Sequence, residues 1–396
     1  MISRLAAQIA PSSTLVITAK ANELKSQGVD VIGFGAGEPD FDTPDYIKQA
    51  AIDAIMQGFT KYTPASGTMS LRKAVAAKLQ KDNNVRYIPE QIVINNGAKH
   101  SLVNAFMAIL NPEDEVIIPA PYWLSYPEMV KIAGGKPVFV NTKRENDFKL
   151  QPEELKAAIS SKTKAIVINS PSNPTGVVYT REELKALADL AVQNNMWIIS
   201  DEIYEYLVYG DAKHTCIASL SEEIYKHTIT INGLSKSHSM TGWRIGYLAA
   251  PLEVAKAAGN IQSHATSNPN SIAQKAAEAA LLIENDFVSM MVKEFADRRD
   301  YMYERLTQIK GLDTIKPQGA FYCFVDIAKL YGKKYKDKLI ESAADFADIL
   351  LQEESVTLVP CADFGTPDCI RLSYAISKES IAKGLDRIQH FINELH

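Results

Sequence analysis

Five short β-branched runs of the chain are mostly apolar: "QIVIN" (91–95), "DEVIIPA" (114–120), "KAIVINS" (164–170), "MWIISD" (196–201) and "TITING" (228–233). An apolar run with no polar face predicts a strand covered on both sides, as in parallel sheets. Between the third and fourth runs lies "TREELKALADLAVQNN", where Leu184, Leu187, Ala188 and Ala191 share one helical face. Thr180 and Glu183 at its start have the spacing of a capping box. The strand–helix–strand rhythm predicts an α/β fold around a mainly parallel sheet.

The pattern changes near residue 285. A long helical pattern covers 286–309, and a strand-like "GAFYCFVDI" covers 319–327. In "SKESIAKGLDRIQHFINEL", Ile381, Leu385, Ile388 and Ile392 form one helical stripe. A second, α+β unit is expected there.

Composition narrows the function classes. The chain has 396 residues, 46% apolar and 22% charged, which fits a soluble globular protein of two or three domains. A net charge of −5 gives no basic character for nucleic acid. No polybasic run suggests a membrane surface, and no apolar run approaches membrane-span length. "LAAQIA" behind Arg4 is too short and too polar for a signal peptide, so a cytoplasmic location is expected. Cys216, Cys323, Cys361 and Cys369 form no CxxC and have no histidine at zinc-ligand spacing. Reduced, mostly buried thiols and no metal are expected.

Open parallel sheets bind ligands at the carboxyl ends of their strands. "QIVIN" runs into "NGAKHS", with Gly97 and Ala98 at a helix start, where backbone N–H groups suit a phosphate. "DEVIIPA" runs into Trp123, "KAIVINS" into "PSNPTG" with Asn173, and "MWIISD" into Asp201 with Tyr204 close behind. "TITING" runs into Ser235 and Lys236, and Arg244 follows in "SKSHSMTGWRIGY". Each feature has a plain structural reading: a turn, a helix cap, a packing aromatic, a solvated lysine. Five strands delivering such residues to one end point instead to a shared site.

The glycine run "GFGAGEP" from Gly33 is not a dinucleotide fingerprint. The third glycine would fall at Glu38, and "PDFDTP" follows in place of a helix. The residues at the strand ends suit a cofactor with a phosphate, an aromatic ring, a ring nitrogen that prefers a carboxylate, and a carbonyl for a lysine. Pyridoxal 5'-phosphate has these parts.

The motifs "AGEPDFDTP", "KYTPASG", "PYWLSYPEM", "NSPSNPTG", "SDEIYE", "SKSHSMTGWRIGY" and "RLSYA" span almost the whole chain. Together they resemble the fold-type I aminotransferases of class I/II, and within them the bacterial aspartate aminotransferase subgroup. The resemblance implies that Lys236 carries pyridoxal phosphate as a Schiff base and moves the substrate α-proton, with Asp201 on the ring nitrogen. Asn173 and Tyr204 would contact the ring hydroxyl and Trp123 the ring face. Ser235, Arg244, Gly97 and Ala98 would hold the phosphate, together with Tyr62 from a neighbouring subunit of a homodimer. Arg371 would clamp the substrate α-carboxylate, aided by the backbone at Gly37. A large cofactor-binding domain (46–285) and a small domain (1–45 with 286–396) are expected. One departure is Gly233, where the wider fold type often has Ser or Thr.

The substrate expectation rests on Lys99, at a position where aspartate-preferring relatives bind the distal carboxylate, with Ser12 and Thr14 assisting. It implies amino transfer from L-aspartate to 2-oxoglutarate, with prephenate a further oxo-acid acceptor. Two alternatives remain: another fold-type I enzyme (an aromatic or alanine aminotransferase, or a carbon–sulfur lyase), and a ligand-sensing regulator on this fold. The second lacks the basic helix-turn-helix that it would need.

Overall fold

The computed structural model describes residues 2–396, apart from the side chain of Leu15. All five apolar runs are strands of one seven-stranded sheet. Its order is Ile92–Asn95, Gly246–Ala249, Thr228–Gly233, Trp197–Asp201, Thr163–Asn169, Glu115–Ala120 and Lys136–Asn141. Only Gly246–Ala249 runs antiparallel to its neighbours. Two strands escape the apolar-run criterion. Lys136–Asn141 is an edge strand with no buried residue. Gly246–Ala249 is too short to stand out.

The strands lack alternation because both faces are covered. Val93, Val116, Ile118, Val167, Ile199 and Ile231 pack on one side against Leu102 and Phe106 of helix Ala98–Ile109 and Val254 and Ala258 of helix Leu252–Ala265. Ile117, Ile166, Ile168 and Ile198 face the other way, onto Leu184, Leu187, Ala188 and Ala191 of helix Arg181–Gln193. Neighbouring residues point to opposite faces, so burying both leaves few polar positions, and those present, such as Ser200, Thr228 and Thr230, are buried as well. Each fully buried aliphatic side chain contributes about 1.5–3 kcal/mol. The capping box holds in both directions: Thr180 N–H donates to Glu183 Oε2 at 2.7 Å, and Glu183 N–H to Thr180 Oγ1 at 3.2 Å.

A four-stranded antiparallel sheet lies beyond residue 285, in the order Val359–Pro360, Cys369–Ser373, Tyr322–Asp326, Asp313–Thr314. Its core includes Met291, Phe295 and Met302 of helix Phe287–Gln308 and the stripe Ile381, Leu385, Ile388 and Ile392 of helix Lys378–Asn393. Ile32 and Phe34 join the same core, and Ile32–Gly33 pairs in parallel with Val356–Thr357. The early chain is thereby tied to the late chain. Among the described residues, no helix is long and apolar enough to cross a membrane.

The antiparallel strand explains how two distant cations reach one rim. Lys236 follows the carboxyl end of Thr228–Gly233, and Arg244 precedes the amino end of Gly246–Ala249. Gly233 pairs with Gly246, and Gly246 with Asn95. The residues before the reversed strand therefore emerge where its parallel neighbours end.

Candidate active site

A cavity of about 420 Å³ opens at this rim, between the large sheet, the segment 12–38 and the strand carrying Arg371. Lys236, Asp201, Tyr204, Ala98, Trp123, Asn173, Ser235, Arg244, Gly37, Arg371, Lys99, Ser12 and Thr14 all line it. Gly97 lies just behind the wall, and Tyr62 is elsewhere on the surface, 89% exposed.

Asp201 ends strand Trp197–Asp201 and is buried. Turns rather than a helix follow it, so it caps nothing. Tyr126 Oη donates to its Oδ2 at 2.6 Å and Ile203 N–H to its Oδ1 at 3.3 Å. Burial pushes the carboxyl up to about 6, against the lowering effect of these two donors. Lys236 Nζ donates to Gly37 O. Burial lowers its ammonium to about 8, with Glu38 opposing the shift and Arg371 and Arg244 reinforcing it. Base and acid values are thus drawn toward neutrality within one cavity.

Arg371 is a fully buried guanidinium, 2% exposed. Nη1 donates to Asn173 Oδ1 at 2.9 Å and Nη2 to Gly35 O at 3.2 Å, while Nε is buried with no partner. No acidic side chain pairs with it among the described residues. A buried cation without a counter-ion is costly, so the arrangement suits an anion from outside the chain. The ring of Tyr322 lies under the guanidinium, 4.3 Å from centroid to Cζ.

Gly97 has φ +85° and precedes helix Ala98–Ile109. A Cβ there would lie 2.3 Å from Arg244 Nη2, so the arginine packs directly over the helix amides. Arg244 itself has φ +54°, and its Nη1 donates to Thr241 O at 2.7 Å. The guanidinium donates only to the carbonyls of Thr241 and Asn96 among the described residues, and with the helix amides it forms an anion cradle. At Gly233 a Cβ would meet Gly246 Cα at 2.9 Å and Ile245 O at 3.0 Å. The close approach of the reversed strand explains this departure from Ser or Thr. Lys99 Nζ lies 4.9 Å from the Trp123 ring centroid. Its ammonium is lowered by burial and then by Arg244.

Three residues of the site do not emerge from the sequence reading. Tyr126 and Tyr322 act on partners 75 and 118 positions away, Asp201 and Tyr204, and no local pattern signals that. Asn169 ends strand Thr163–Asn169 at the rim. It accepts Asn173 N–H on Oδ1 at 2.8 Å and donates from Nδ2 to Asp201 O at 3.0 Å. The strand-end rule would have found it.

Residues 29–388 match the family model for aminotransferase class I and II. The aspartate aminotransferase of Bacillus subtilis is 50% identical over 396 residues, covering 99% of each chain. A protein of Aquifex aeolicus named "Probable aspartate/prephenate aminotransferase" is 50% identical over 387 residues, covering 97% of each. The structure of aspartate aminotransferase from Thermus thermophilus with maleate superposes with a TM-score of 0.93 at 43% identity, covering 99% of each chain. With the fold, the rim cavity and these matches in agreement, the chain belongs to the class I and II aminotransferases.

Proposed function

We propose that the protein transfers the amino group of L-aspartate to 2-oxoglutarate with pyridoxal 5'-phosphate, acting as a cytoplasmic homodimer. The observation that carries this reading is Arg371, a buried guanidinium with an orphaned Nε and no acidic partner, in one cavity with Lys236 and Asp201. The cavity residues fit the cofactor. The glycine-backed cradle of Gly97, Ala98 and Arg244, with Ser235 beside it, suits a phosphate. Asp201, buried and raised, is stabilised by a neighbouring N–H cation.

When bound, the cofactor supplies a carbonyl that condenses with amines and a pyridine ring that accepts an electron pair. Arg371 binds the substrate α-carboxylate bidentately and fixes its orientation. Lys236, lowered to about 8, is partly neutral near pH 7, so its Nζ can bond a carbonyl and, once free, take the α-proton and return it. Asp201 would accept a hydrogen bond from the ring N–H and keep it protonated. Asn173 Oδ1 is engaged by Arg371, so its Nδ2, with the Tyr204 hydroxyl, would hold the ring hydroxyl. Trp123, on the cavity wall, would cover the ring face. Lys99, with Ser12 and Thr14 also on the cavity wall, would receive the distal carboxylate.

The names of the B. subtilis and T. thermophilus proteins support aspartate as donor, and maleate in the latter supports a dicarboxylate site. The A. aeolicus name supports prephenate as a further acceptor. Exposed apolar side chains of helix Asp45–Met56 (Ile52, Ile55, Met56), together with exposed Tyr62, support a subunit interface through which Tyr62 completes a partner's phosphate site. The reading includes a large domain of 46–285 and a small one of 1–45 with 286–396, supported by the core that unites Ile32 and Phe34 with the late chain. Four free, buried cysteines accord with a reducing compartment.

The test is the near-visible absorption of the purified protein before and after L-aspartate, without an oxo acid. The band of protein-bound pyridoxal phosphate is expected to give way to that of the aminated cofactor. A band moved by alanine or phenylalanine but not by aspartate overturns the substrate. No band after adding pyridoxal phosphate overturns the cofactor.

A further inference from the structure

Tyr322 touches both halves of the site, and neither its position nor its sequence context announces it. It begins strand Tyr322–Asp326, next to the Arg371 strand, where Tyr322 pairs with Ser373 and Phe324 with Arg371. The residue is buried, 1% exposed. Its hydroxyl is 2.9 Å from that of Tyr204. Its ring face carries the Arg371 guanidinium at 4.3 Å. Gly37, whose carbonyl takes Lys236 Nζ, lies alongside this hydroxyl; a Cβ there would sit in ordinary contact with it, at 3.6 Å.

We infer that Tyr322 is a positioning residue with two separable actions: its hydroxyl donates to Tyr204 and so turns the Tyr204 proton toward the cofactor, and its ring holds the guanidinium of Arg371 in place for the substrate carboxylate. This rests on the proposed cofactor and substrate reading.

The direction of the hydrogen bond follows from the surroundings. In a pair of phenols the more acidic one donates. Arg371 lies on the ring of Tyr322, and a cation there favours loss of the phenolic proton. Burial raises both phenols, and the Arg371 cation is the leading influence against that rise at Tyr322, whose ring it overlies. With Tyr322 donating, the single Tyr204 proton is free to point into the cavity. With the opposite arrangement, Tyr204 would present only lone pairs, which would repel an anionic ring oxygen.

The ring action is independent. Arg371 has two protein hydrogen bonds, to Asn173 and Gly35, and one orphaned nitrogen. With no carboxylate forking it, its plane is held by those two hydrogen bonds and by the rings of Tyr322 at 4.3 Å and Phe364 at 5.3 Å, Tyr322 being the nearer. A flat aromatic face at this distance fixes a guanidinium with little loss of side-chain freedom on ligand binding.

Two variants of the holoenzyme separate the actions. Tyr322→Phe keeps the ring and removes the hydroxyl. The apparent pKa of the near-visible cofactor band is expected to rise by about half a unit or more, with KM for aspartate within about twofold of wild type. Tyr322→Leu removes both, and KM for aspartate and the dissociation constant for maleate are expected to rise about tenfold or more as well. If Tyr322→Phe titrates like wild type, the hydroxyl action is overturned. If Tyr322→Leu binds maleate like wild type, the ring action is overturned. A wild-type protein that forms no near-visible band with pyridoxal phosphate overturns the underlying reading instead.

Discussion

Arg371 reaches across 198 positions to donate to Asn173 Oδ1 at 2.9 Å. The contact links the antiparallel sheet of the late chain to the loop behind strand Thr163–Asn169, so the substrate carboxylate would be gripped where two layers meet. Arg371→Lys keeps the charge but loses the planar fork. Its kcat/KM for aspartate is expected to fall at least about a hundredfold, with the spectrum of the bound cofactor unchanged. Steady-state kinetics beside the absorption spectrum check both parts.

Asp201 makes the cofactor-free protein sensitive to pH. Its carboxyl stands at about 6, above the ordinary 3.8, through burial. Between these values the folded chain binds more protons than the unfolded chain, so stability falls as pH rises. The penalty is absent below pH 3.8, complete above about pH 6, and about 3 kcal/mol in size. Cofactor-free Asp201→Asn is expected to gain on wild type between pH 4 and pH 7 in thermal melts. A constant difference across that range contradicts it.

Lys99 separates dicarboxylate from monocarboxylate substrates in the proposed reading. Lys99→Ala is expected to lower kcat/KM for aspartate about tenfold or more while changing that for alanine little. Equal losses on both amino acids would remove the distal-carboxylate role.

Gly97→Ala tests the phosphate cradle. The new Cβ meets Arg244 Nη2 at 2.3 Å in a backbone at φ +85°. Backbone strain of about 1–3 kcal/mol is expected, with at least about a tenfold loss of pyridoxal phosphate affinity. Spectroscopic titration of the cofactor-free variant measures the second, and denaturant unfolding the first.

Lys78 and Glu205 form a buried ion pair, their side chains 6% and 5% exposed. Asn83 and Asn232 also donate to Glu205, each at 2.8 Å. Ligand atoms of Glu202, Glu205 and His214 lie within 4.8 Å of one another, and the Lys78 ammonium is the cation already serving this acidic group. Lys78→Met leaves Glu205 unpaired and is expected to destabilise by about 3–5 kcal/mol. Adding Glu205→Gln should recover much of that loss, as a double-mutant cycle in urea would show.

The covered sheet and the rim were legible in the chain because parallel strands buried on both faces cannot hide their composition. Runs such as "KAIVINS" and "MWIISD" each hold four consecutive apolar residues, and the polar residues that end them fall at the carboxyl end of the strand. Lys236, Asp201 and Asn173 could be read for that reason, as breaks in apolar runs at one end of one sheet. The stripe from Ile381 to Ile392 was legible because a helix with one buried face repeats its pattern locally. What the tertiary structure decided has no such local record. The reversal of Gly246–Ala249 brings Arg244 beside Gly97 and excludes a side chain at Gly233. The hydroxyls of Tyr126 and Tyr322 find Asp201 and Tyr204 only through the packing of separate layers. Sequence periodicity reports whether a residue faces a core, because burial is set by its own element. It cannot report which polar atom lies opposite, because that is set by the crossing of two elements.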